Sequence, residues 1–227
     1  MLTAVRPRPV LCVNEHEHRD RELADAVAGG VFSFGGETRE LGVEPDWLGA
    51  ELPEDEEWRI DWVKFYYGLD LADAFRATGD RRYLEAWERL VASFVLQVPP
   101  DHDSSDVTAR RILNWIYSWQ RLPEASIPGL VESLREQARH VRENLTAERN
   151  HRTLELYALL IAALALPDLE PGLLELATGE LHENLLTDFG SDGVHRERST
   201  HYHMIALRSF VGARESRTSK PRGNSTS

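Results

Sequence analysis

The sequence predicts an all-α fold, on three observations. From Trp58 onward apolar residues recur at a 3.6-residue spacing in long segments, and those segments are joined by short turns. No alternating, β-branched stretch of comparable length competes with them. Glycine, proline and aspartate fall where the periodic segments end. Consecutive amphipathic helices on short connections must pack as neighbouring antiparallel hairpins; periodicity alone leaves a bundle, a solenoid and a curled α/α toroid open. The chain divides into an irregular lead-in over 1–57 packed on the helical part, a helical domain over 58–213 and a polar tail over 214–227, expected to be disordered.

The elements follow in order. The lead-in holds one helix at about Asp20–Ala28 and a turn at Gly35-Gly36. Trp62, Phe65, Tyr66, Leu69, Ala72 and Phe75 make one apolar stripe, which Thr78-Gly79-Asp80 stops while Asp80 caps the next helix. That helix carries Tyr83, Trp87, Leu90, Val91 and Phe94 and ends at Pro99-Pro100. Ser104 and Ser105 are placed to cap a third, bearing Ile112, Trp115, Ile116 and Trp119. Pro128 suits the first turn of a fourth, which runs to about Leu145. Asn150 is placed to cap a fifth, very apolar helix; Pro171 opens a sixth that runs to about Phe189, and a seventh begins near Tyr202. The tail from Arg214 is too poor in apolar residues to offset its ordering entropy.

Composition excludes several functions. With 227 residues and a formal net charge of -12, the chain lacks the basic surface that nucleic-acid binding needs, so no nucleic-acid partner is expected. Cys12 is the single cysteine, which rules out an internal disulfide and a cysteine-rich zinc site. The longest apolar run, Leu156–Leu166, is too short to cross a bilayer and reads as a buried helix, so no membrane insertion is expected. The first residues do not resemble a secretory leader, compartment and oligomeric state stay open, and no cofactor is expected.

Two polar knots interrupt the apolar pattern. The first is Arg149-Asn150-His151-Arg152, at the mouth of the apolar helix; the second is G-V-H-R-E-R-S-T-H-Y-H over Gly193–His203. Ordinary roles exist for each residue: a helix cap for Asn150, a surface position for His151, half-buried packing for Tyr202. His195, His201 and His203 are also metal-ligand types, but an i, i+2 spacing does not bring ligands together on a helix, so no metal is assigned. An anion meeting so acidic a chain needs a local basic pocket, for which Arg110, Arg111, Arg149, Arg152, Arg196 and Arg198 are available.

The order of several short motifs resembles the N-terminal helical domain of the heparinase II/III-like polysaccharide lyases, over most of the chain. The motifs are Asp46-Trp47, W-x3-W-V-K-F at Trp58–Phe65, A-F-R-A-T-G-D-R-R-Y at Ala74–Tyr83, R-R-I-L-N-W at Arg110–Trp115, R-N-H at Arg149–His151 and D-G-V-H-R-E-R-S-T-H-Y-H at Asp192–His203. The resemblance implies an incomplete α/α toroid, followed in the family by a β-sandwich that this chain is expected to lack. It implies an anionic, uronate-containing polysaccharide or oligosaccharide as partner, cleaved by β-elimination as in heparinases and alginate lyases.

The resemblance also implies roles. Asn150 and His151 match the pair that neutralises the sugar carboxylate, and Tyr202 matches the catalytic tyrosine that protonates the leaving oxygen. His201 and His203 are alternative bases, because an unperturbed phenol with a pKa of about 10 is a better acid than base. Arg111 is the expected carboxylate fork, with Asn114, Arg149, Arg152, His195, Arg196, Glu197 and Arg198 as further substrate-binding positions. Three other readings stand beside this one: a relic that binds glycan without cutting it, a helical-repeat scaffold, and an inverting glycosidase using Asp192 and Glu197.

Overall fold

The computed structural model describes residues 5–13, 20–49, 52–147, 149–196 and 199–218; the side chains of Arg149, His201, Tyr202, Ile205, Arg217 and Thr218 are also outside the description. Among the described residues the elements are α1 (Arg21–Ala28), β1 (Val31–Phe34), β2 (Glu37–Glu40), α2 (Glu56–Val63), α3 (Tyr67–Thr78), α4 (Arg81–Gln97), α5 (Ser105–Trp119), α6 (Leu130–Glu143), α7 (Arg149–Ala165), α8 (Leu173–Asp188) and α9 (Thr200–Thr218). The all-α expectation holds, with one small addition. Gly35 and Gly36, both at positive φ, close β1 and β2 into an antiparallel hairpin with Phe34 opposite Glu37.

Local chemistry explains most boundaries. Asp20, Asp55 and Asp80 cap α1, α2 and α4 by accepting backbone N–H bonds, and Gly79 in the left-handed region closes α3. The apolar stripe from Trp62 to Phe75 does not make one helix. It breaks at Phe65, whose φ of 64° is costly for a side-chain-bearing residue, by about 1–2 kcal/mol. Packing holds it there: the Phe65 ring lies against Trp47, Tyr67, Phe94 and Trp115. Further differences are small. Ser104 precedes α5 without capping it, and α6 starts at Leu130 behind Gly129. Asn150 lies inside the first turn of α7, which begins at Arg149. The last helix continues through Thr218, so 214–218 of the expected tail are helical, and the Ser216 hydroxyl accepts a bond from the Leu11 amide. Residues 219–227 are outside the described ones.

The helices form two layers. Along α3 and α5, the Lys64 carbonyl meets Asn114 and Gly68 lies beside Ser118, so the two run in the same direction. Along α5 and α7, Asp106 meets His151 and Tyr117 meets Tyr157, again in step. α8 runs back along α7, with Asn184 on Thr153, and α9 packs on α7, its start at His203 beside Phe189 at the end of α8 and its Gly212 against Tyr157; α7 and α9 are therefore parallel. Thus α3, α5, α7 and α9 make one parallel layer, and α4, α6 and α8 return outside it. The inner position accounts for the composition of α5 and α7, whose side chains are buried nearly all round. Among the described residues no helix is long and apolar enough to cross a membrane.

Candidate functional site

The parallel run of α5, α7 and α9 puts their N-termini at one pole. The α4–α5, α6–α7 and α8–α9 connections gather there, and so do both polar knots. Unpaired N–H groups and aligned peptide dipoles make each helix start locally positive, which suits an anion.

Asn150 and His151 occupy the first turn of α7 and are half-buried. His151 Nδ1 lies 3.2 Å from Asp106 Oδ2 in the first turn of α5. Asp106 is itself held by the Ser104 hydroxyl at 2.8 Å and by Arg110 at 3.9 Å. Burial pushes its carboxyl up, but the Ser104 bond, Arg110 and His151 together outweigh that and leave it below the ordinary carboxylate range. Beneath this pair, Glu155 is fully buried; it accepts from Ser105 Oγ at 2.7 Å and from the Thr146 amide at 2.8 Å. Those bonds tie the segment entering α7 to the start of α5.

The second knot is built on Phe189. Gly193, at positive φ, turns the chain; Asp192 accepts from the Val194 amide at 3.0 Å; and His195 returns to form a bridge with Phe189. The Phe189 ring then meets the edges of His195, His203 and Phe210, which fastens the start of α9 to the end of α8. His203 is half-buried and Arg196 is exposed. His201 and Tyr202 lie in the first turn of α9, but their side chains, like that of Arg149, are outside the description, and Glu197 and Arg198 fall outside the described residues.

Several expected substrate contacts are internal instead. Arg111 is 0% exposed. Its guanidinium binds Asp103 Oδ2 at 2.6 Å, Gln137 Oε1 at 2.9 Å and the Val63 carbonyl at 3.4 Å, and its Cζ sits 4.4 Å above the Phe94 ring. Asn114, 1% exposed, gives its amide to the Lys64 carbonyl at 2.8 Å. Both side chains thus support the backbone on the N-terminal side of Phe65 rather than facing a ligand, because they point from an inner helix into the α2–α3 break. His195 is likewise 1% exposed, folded under its own turn. Arg152 reaches Glu180 on α8 at 2.9 Å, so it is shared between helices and the pole. The basic pocket expected from six arginines is correspondingly thinner.

Sequence reasoning misses Asp106, Glu155 and Phe189. An aspartate in a helix's first turn reads as dipole compensation, and Glu155 reads as the polar edge of an apolar helix; only the G-S-D-G turn after Phe189 hints at a folded knot. Among the described residues no cluster of three or more histidine, cysteine, aspartate or glutamate side chains is arranged to hold a metal.

Comparison with solved structures supplies the architecture's relatives. The fold is similar to heparan sulfate lyase HepC from Pedobacter heparinus, with a TM-score of 0.72 and 22% identity, over 92% of this chain and 34% of that one. It is similar also to two structures of a heparinase III gene product, at a TM-score of 0.74 and, for the form with methylated lysines, 0.72; both are 17% identical, over 94% of this chain and 38% of theirs. The chain therefore spans little more than a third of the length of these relatives, and its two-layer helical arrangement is that of their toroid. No curated protein matches the chain. Residues 16–225 match the family described as Heparinase II/III N-terminus, and with nearly the whole chain inside that match, the protein belongs to this family.

Proposed function

We propose that this chain contributes the helical wall of a polysaccharide lyase site acting on a uronate-containing, anionic glycan by β-elimination. The observation that supports the reading is the parallel run of α7 and α9, which brings the Asn150-His151 turn and the His201-Tyr202-His203 turn to the same pole. Family membership gives the chemistry its class.

In such an elimination the C5 proton leaves to a base, the C5 electrons form a double bond to C4, and the C4–O bond breaks onto a leaving oxygen that takes a proton. A carboxylate already carrying charge resists this, so its developing second charge must be met by donors. Asn150 Nδ2 and the positive start of α7 are suited to that task, with Arg149 and Arg196 as further cations. Tyr202 supplies the proton to the leaving oxygen, and a histidine, His201 or His203, removes the C5 proton if the phenol acts only as acid.

Incubation with heparan sulfate, hyaluronan and alginate tests the reading. Ultraviolet-absorbing unsaturated ends are the expected product, abolished by Tyr202→Phe with binding largely kept. New reducing ends without that absorbance overturn the proposal in favour of hydrolysis, and binding with neither product reduces the chain to a glycan-holding wall.

A further inference from the structure

We propose that Asp106 is a positioning residue for His151, fixing which ring nitrogen faces the pole. The inference rests on the lyase reading only for its catalytic consequence; the geometry stands without it. His151 Nδ1 sits 3.2 Å from Asp106 Oδ2, within reach of a hydrogen bond, and the carboxylate can only accept. Nδ1 is therefore the protonated nitrogen, and Nε2 carries either the lone pair of the neutral ring or the second N–H of the cation.

The carboxylate is built for this. Its other oxygen takes the Ser104 hydroxyl at 2.8 Å, which stops it from rotating away, and it lies in the first turn of α5, where the dipole favours its charge. Arg110, 3.9 Å from the same oxygen that faces His151, keeps it ionised without taking the place of the ring. The pairing joins two helices of the inner layer, so it sets the ring relative to the pole and not merely relative to its own helix. The imidazole retains 41% side-chain exposure while the carboxylate keeps 19%, so the pair is anchored on the inside and open on the outside. A histidine held this way offers Nε2 alone to a sugar, as donor to its carboxylate when charged or as acceptor of a proton when neutral.

Nitrogen NMR of the whole chain with 15N-labelled histidine reads the tautomer directly. Above the histidine titration range, the wild-type His151 is expected as the Nδ1–H form, against the Nε2–H form that free imidazoles prefer. Asp106→Ala should return it to Nε2–H, and so should Asp106→Asn, whose amide oxygen takes the Ser104 hydroxyl and leaves the NH2 group facing the ring. An Nε2–H His151 in the wild type overturns the proposal, and that spectrum needs no variant to fold; so does an Asp106→Ala protein with an unchanged tautomer. Should the wild type also produce unsaturated ends, Asp106→Ala is expected to lower kcat by roughly tenfold to a hundredfold, part of the roughly 10²–10⁴ that a positioned acid or base contributes. Absence of unsaturated product with the Nδ1–H tautomer intact would count against the lyase reading alone.

Discussion

Replacement of Arg111 by methionine separates a strut from a subsite. The substitution keeps most of the side chain's length and removes the charge. It leaves Asp103 without its 2.6 Å partner, the buried Gln137 without its 2.9 Å donor, and the Val63 carbonyl short of a bond just before the left-handed Phe65. Removing one side of a buried ion pair costs about 3–5 kcal/mol. Asp103 keeps 15% side-chain exposure and so recovers some hydration, which favours the lower end. For a chain of this size each kcal/mol moves Tm by about 2–4 °C, so a loss of roughly 6–12 °C is expected. Helical circular dichroism followed through thermal and urea unfolding measures it, with Arg111→Lys expected between wild type and Arg111→Met because an ammonium keeps the charge but not the fork. An Arg111→Met protein that unfolds within about 2 °C of wild type, yet has lost glycan binding, would refute the reasoning and return Arg111 to the ligand.

Two other perturbations probe the seam of α7 with its inner neighbours. A Cβ on Gly212 would collide with the Tyr157 hydroxyl and stand 2.6 Å from Val13 Cγ1, so Gly212→Ala should destabilise by about 1–3 kcal/mol despite alanine's better helix propensity; a rise in Tm would mean that α9 is not seated against α7 as described. Tyr117 and Tyr157 share a buried 2.7 Å hydroxyl bond. Tyr117→Phe strands the Tyr157 hydroxyl at about 1–3 kcal/mol, Tyr157→Phe costs less because the Tyr117 hydroxyl keeps its bond to the Val13 backbone, and the double substitution should cost less than the sum of the two, a coupling that a double-mutant cycle reads. Burial raises the pKa of both phenols. Because the folded values lie above the unfolded value of about 10, their contribution to stability is complete below that pH and lost as pH rises from there towards the folded values. Phenolate absorbance that climbs before any loss of helical signal and is missing from the double phenylalanine variant would contradict the burial of this pair.

The legible parts of the fold are those whose cause is local. Asp80 caps its helix and Gly79 ends the one before, because a side-chain oxygen and a missing Cβ act within one turn. The break at Phe65 is hidden because the apolar stripe continues in phase across it; ring contacts with Trp47, Phe94 and Trp115, together with the bonds of Arg111 and Asn114 to the Val63 and Lys64 carbonyls, all from residues distant in sequence, hold the residue at positive φ. The same limit governs the site. Arg111 and Asn114 have the right chemistry for a carboxylate, and residue type does not say which way an inner helix presents them. Asp106 escapes notice for the converse reason. Its partner lies 45 residues away, and a first-turn aspartate already has a sufficient local explanation.

The direction of the inner layer is what makes a site out of these parts. With a net charge of -12 the molecule as a whole repels a polyanion, and beyond about 8–10 Å that repulsion fades under physiological salt. Inside that distance the balance is set by whatever lines the pole. Three helices enter it by their N-termini, α5, α7 and α9, and each contributes a partial positive charge without any arginine, which they do only because they run the same way. Antiparallel inner neighbours would have alternated N–H and carbonyl ends and cancelled the field. The arginines that sequence motifs offer are partly consumed elsewhere, Arg111 inside and Arg152 on Glu180, so backbone dipoles carry more of the attraction than charge counting suggests. Asp106 is the exception among these groups: it places a carboxylate at the pole, where it would oppose an anion, and its bonds to Ser104, Arg110 and His151 convert that charge from a repulsive field into an anchor for the imidazole.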